Sequence, residues 1–89
     1  MSAMNAATEA LASAIAIELA PIRVNTVCPG FVDADLPIPG RAEYVRALAP
    51  NLPLGRLGAA KEIAEAYLYL FGNTDSTGSV IVVDGGVTC

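Results

Sequence analysis

Few residues in this chain can do chemistry, and their spacing narrows the choice further. There is no histidine among the 89 residues. That removes Ser-His and Cys-His nucleophile pairs and imidazole-ligated metals together. Cys28 and Cys89 lie far apart without CxxC spacing; they read as free thiols of a reducing, cytoplasmic compartment. With no histidine or nearby lysine to lower its pKa, Cys28 is expected to be a buried, inert thiol. Asp33 and Asp35 are spaced for acid/base or metal chemistry. In a loop without histidine partners they read as solvated carboxylates. Tyr67 and Tyr69 read as packing residues. What remains is Pro29-Gly30, where a short apolar run stops. Proline lacks the N–H that would continue a ladder, and glycine permits a turn or a close approach. In open α/β sheets ligands bind just beyond the carboxyl ends of strands, so this stop is either a ligand edge or only a turn.

The elements that would position this edge follow from the pattern. Residues 1–20 read as a helix. Alanine recurs throughout, with Ala7, Leu11, Ala14, Ile15 and Leu19 on one side. Ala6, Ala10 and Ile17 extend the apolar surface, so burial on two sides is expected, against a sheet and against a neighbouring helix from a second subunit. Ile22, Val24, Val27 and Cys28 predict a strand over 22–28, with Arg23 solvated. Residues 33–57 form a long, proline- and glycine-rich stretch containing a helical segment at 41–49, and read as a mobile lid. A second helix is expected over 59–71, with Ile63, Ala66, Tyr67 and Leu70 inward. The β-branched run within 79–84 reads as a strand buried on both faces. The sum is a single partial α/β domain, helix–strand–long loop–helix–strand. Its two strands should be parallel through a βαβ crossover.

Composition sharpens this. The chain is 54% hydrophobic and only 16% charged, more apolar than an ordinary small soluble domain. The excess implies extensive oligomerisation or membership of a larger fold. Two strands alone also fall short of a stable parallel sheet, so the chain reads as the back part of a larger α/β domain. Net charge is −4 without a basic cluster, which argues against nucleic acid as a partner. No apolar run reaches a membrane span, and no secretory signal is visible.

The series AxEALxxAxAxELAP-IRVNxVxPGxV, then PLGRLG, EIAEAYLYL and TGSVIVVDGG, resembles the C-terminal part of a short-chain dehydrogenase/reductase over essentially the whole chain. The resemblance implies the last two strands of a doubly wound Rossmann fold and an NAD- or NADP-dependent oxidoreductase. It implies a cofactor-binding set of Pro29, Gly30, Phe31 and Val32. Pro29-Gly30 would lie beside the nicotinamide, and the Val32 backbone would hold its carboxamide. Residues 35–52 would be the substrate lid, over a small apolar substrate. The first helix and the final strand would build a dimer or tetramer. The family's TGxxxGxG phosphate loop has no counterpart in the sequence. Its catalytic YxxxK pair falls on Met1 and Asn5, which can neither give a proton nor supply a charge, and its usual threonine falls on Ala34. The expectation is that the 89 residues are not catalytic by themselves. An oligomeric scaffold or a small-ligand binding protein derived from the family stands as the alternative.

Overall fold

The computed structural model describes residues 2–33 and 38–87. Met1, Ala34, Asp35 and Cys89, and the first residues of the expected lid, lie outside them. Helix α1 spans Ser2–Glu18, β1 Thr26–Pro29, β2 Val32–Asp33, α2 Arg41–Leu48, β3 Gly58–Ala59, α3 Ala60–Gly72 and β4 Val80–Val83. Strands β1 and β4 pair in parallel, Thr26 opposite Val80 and Pro29 opposite Val83. The crossover between them carries a second parallel bridge, in which β2 lies beside β3.

Strand alternation assigns the two helices to opposite faces. Cys28 points to α1, where its thiol meets Glu9. Val27 points to α3 and shares a concavity with Tyr67, Leu70 and Phe71. The register sends Ile81 and Val83 to the α3 side, where they are half-buried, and Val80 and Val82 to the α1 side.

Several expectations are corrected here. The final strand is not buried on both faces: Val82 remains 52% exposed, because α1 covers its side thinly. Strand β1 begins at Thr26, four residues later than 22–28 suggested. The residues before it are held by the side chains of Arg23, Asn25 and Thr77, with a backbone bond from Gly78 N–H to Val24 O at 2.8 Å. Pro29 does not end the pairing, since Gly30 N–H still reaches Val83 O at 3.0 Å. On α1 most of the expected face, Ala7, Leu11, Ala14 and Leu19, is exposed, and of its members Ile15 alone is half-buried. The inward face runs through Glu9, Ala12, Ser13 and Ala16, and Ala16 is buried. Small residues let the helix approach Gly78, where a Cβ would touch that of Ala16 at 3.9 Å. On α3, Ala66 and Leu70 are buried and Ile63 is half-buried, but Tyr67 is exposed.

Arg23 is not a solvated side chain. Its Nη1 donates to the carbonyls of Leu70 (2.8 Å), Asn73 (3.0 Å) and Ser76 (3.3 Å). A helix leaves its last carbonyls without intrahelical partners, and Arg23 supplies the donor from the other end of the crossover. Asn25 completes the join. Its Oδ1 accepts from Ser79 N–H at 3.1 Å, and its Nδ2 donates to Ser76 O at 2.9 Å. These bonds fix where β1 meets β4, and so what lies opposite Pro29 and Gly30.

Candidate functional site

The carboxyl ends of β1 and β4 meet at Gly30 and Asp84. A Cβ placed on Gly30 would lie 2.7 Å from Asp84 Cα and 2.9 Å from its carbonyl oxygen, so only glycine fits without movement. Asp84 in turn folds the chain back, its Oδ1 accepting from Gly86 N–H at 2.8 Å.

The four expected cofactor residues leave this junction in different directions. Pro29 is exposed and lines a concavity of about 400 Å³ with Asn5, Glu9, Cys28 and Asp84. Gly30 forms the close contact. Phe31 is half-buried and lines a separate concavity of about 450 Å³ with Pro53, Leu54, Val83 and Gly86. Its carbonyl accepts from Gly58 N–H at 2.9 Å. Val32 lies in β2 opposite Gly58 and faces α2 near Val45. The structure thus brings Pro29 together with Asn5, and separates both from Phe31 and Val32.

The electrostatics of the first concavity come from Glu9. Cys28 Sγ donates to Glu9 Oε1 at 3.0 Å. That hydrogen bond, then burial, then the negative charges of Glu9 and Asp84 raise the thiol pKa above its usual value. Cys28 is half-buried, not buried as expected, and the raised pKa disfavours its thiolate. Neither Glu9 nor Asp84 stood out in the sequence. The Asp-Gly-Gly that follows the β-branched run was the available signal for Asp84, whereas Glu9 becomes visible only when the helix face is known.

Asp33 is exposed and paired with Arg46 Nη2 at 3.5 Å, a surface ion pair between β2 and α2. Among the described residues no group of three or more metal-ligating side chains comes together. No helix among them is long and apolar enough to cross a membrane.

A family model described as enoyl-(acyl carrier protein) reductase matches residues 1–88. The chain belongs to the short-chain dehydrogenase/reductase family. A short-chain dehydrogenase/reductase of Stachybotrys chlorohalonatus is 39% identical over 97% of this chain and 34% of its own length. A sorbose reductase of Schizosaccharomyces pombe is 42% identical over 94% of this chain and 34% of its own. Among solved structures, a small-chain dehydrogenase in complex with NADPH superposes with a TM-score of 0.82 at 43% identity, covering 94% of this chain and 40% of that one. The chain therefore spans about a third of the length of the curated short-chain dehydrogenases/reductases it matches. Its α/β arrangement with a parallel strand pair is that of the family's Rossmann fold.

Proposed function

We propose that this chain forms the nicotinamide edge and part of the substrate cover of an NAD- or NADP-dependent short-chain oxidoreductase. The observation that carries the reading is the Gly30–Asp84 contact. It presents Pro29 at a strand end, beside a concavity that Asn5 also lines. Asn5 stands where the family resemblance expects a lysine, and it lines the same concavity as Pro29. The residues fit one end of a dinucleotide: Pro29 offers an apolar wall without an N–H, close to the Gly30–Asp84 contact, and Asn5 a neutral polar group. When bound, the dinucleotide supplies or takes the hydride. The chain's own part is to orient the ring and to exclude water on the Pro29 side.

The 89 residues do not complete that reaction alone. The sequence holds no glycine-rich phosphate loop, and Met1 and Asn5 provide neither the proton donor nor the cation of the family's pair. Purified chain supplied with NADPH and a panel of carbonyl compounds should oxidise the cofactor no faster than buffer. Turnover above buffer that Gly30→Trp abolishes overturns this part of the reading.

A scaffold reading is favoured by a different observation. Leu11 and Ile17 on α1 are 59% and 81% exposed, and Val80 and Val82 on β4 are 39% and 52% exposed, more large apolar surface than a solitary small protein usually leaves to water. We assign this surface to self-association through α1 and β4, in a dimer or tetramer within the cytoplasm. Sedimentation tests it directly, and a well-folded monomer at micromolar concentration argues against it.

A further inference from the structure

The concavity of about 450 Å³ beside Phe31 has two walls of different build. One is the end of the sheet, with Val83 and the turn from Asp84 to Gly86. The other is a short strap containing Pro53, Leu54 and Arg56. The strap leans on the turn at its glycines. A Cβ on Gly86 would lie 3.0 Å from that of Pro53, and one on Gly85 would lie 3.7 Å from Leu54. It is otherwise shallowly seated: Leu54 is 63% exposed, and Gly55, at φ +70, has open space around it.

What ties the strap to the framework is Arg56. Its two terminal nitrogens reach the two oxygens of Glu62 at 2.8 and 3.0 Å. Glu62 sits in the first turn of α3 and also accepts from Ala59 N–H at 3.0 Å. That is half of a capping box, since Ala59 has no side-chain acceptor to return the bond. One carboxylate therefore holds the helix start, β3 and the strap. A bidentate pair fixes orientation as well as distance, whereas its exposure keeps it weak and sensitive to salt.

We infer that Arg56–Glu62 is a latch and that the strap around Leu54 is the movable wall of this concavity, hinged at Gly55. The inference does not depend on dinucleotide binding. It rests on a wall with shallow packing, one glycine at positive φ and a single exposed ion pair to the framework, the combination expected of a low-stability local opening.

Amide hydrogen exchange on the full chain tests it. The reporters are Gly55 N–H, bonded to Leu52 O at 2.8 Å, and Gly78 N–H, bonded to Val24 O at 2.8 Å outside the strap. Arg56→Gln should speed exchange at Gly55 by about two- to five-fold, the range for an exposed pair, with Gly78 unchanged. Ala59 should stay protected, because Glu62 still caps it. In the unmodified chain, 1 M sodium chloride should reproduce the selective effect at Gly55, and Arg56→Gln should remove that salt response. Unchanged exchange at Gly55 overturns the proposal, and so does acceleration of Gly78 and β1 to the same extent. The salt series on the unmodified chain decides independently of how well the variant folds: no selective response at Gly55 refutes the latch.

Discussion

Gly30 and Asp84 meet backbone to backbone, so closely that a methyl group on Gly30 would fall 2.7 Å from Asp84 Cα. Neither partner is the end of a flexible side chain, so nothing can yield cheaply. Gly30→Ala should therefore separate the ends of β1 and β4 and cost about 1–3 kcal/mol, read as a lower urea midpoint. Gly58→Ala is the control. Its added Cβ would lie 3.5 Å from Phe31 O, an ordinary contact, and the midpoint should stay within about 0.5 kcal/mol of the parent.

Arg23 gathers three carbonyls from the end of α3 and the turn after it. Arg23→Met keeps much of the stem and removes the donors. The expected loss is about 1–3 kcal/mol, because part-buried acceptors are left without a partner. Exchange should quicken first at the Asn73 and Ser76 amides, which close this turn. A midpoint equal to the parent's would return Arg23 to the role of a solvated side chain.

The Cys28–Glu9 hydrogen bond makes a prediction about reactivity. The thiol pKa is raised in the folded chain, first by this bond. The unfolded thiol then ionises earlier as pH rises. Stability linked to Cys28 is thus fully present below the ordinary thiol value of 9.0 and declines as pH climbs toward the higher folded pKa. In a Cys89→Ser background, alkylation of Cys28 by iodoacetamide should be slower than that of a free cysteine at the same pH. Glu9→Gln should shift the alkylation profile to lower pH. An unshifted profile would mean that Glu9 does not govern the thiol.

Glu62 makes the opposite prediction. Its pKa is lowered from 4.5 to about 2, chiefly by the hydrogen bond with Arg56 and then by that with Ala59 N–H. Its contribution is fully present above the unfolded value and is lost as pH falls from about 4.5 through 2. Protection of the Ala59 amide should be level from neutral pH to about 5 and should fall below that. Glu62→Gln should flatten the acid limb.

Much of the fold was legible because its signals are local. Alanine content and the Pro21 stop marked α1, and the apolar stripe with Gly72-Asn73 marked α3. The β-branched run at 80–83 marked β4. The close approach at Gly30 was also foreseeable, since a glycine after a strand and a proline is there for space. The rest depends on partners remote in sequence. Val32–Asp33 and Gly58–Ala59 are strands only because they lie beside each other. Two-residue segments carry no period to read. Arg23 resembles a solvated side chain until the end of α3, about fifty residues away, is placed against it. The inward face of α1 was misread because an alanine-rich helix offers several apolar sides, and only the sheet decides which one is covered. For the candidate site, Pro29 and Gly30 were legible and Glu9 was not.

The central claim is that the Pro29–Gly30 edge receives a nicotinamide. Titration of the purified chain with NADPH, followed by nicotinamide fluorescence, tests it most directly, with mass in solution measured in the same buffer and Gly30→Trp alongside. The account predicts a saturable change in fluorescence carried by an oligomer and lost in Gly30→Trp. A folded oligomer that leaves the fluorescence of NADPH and NADH unaltered would contradict the cofactor-edge reading and leave the scaffold reading in its place.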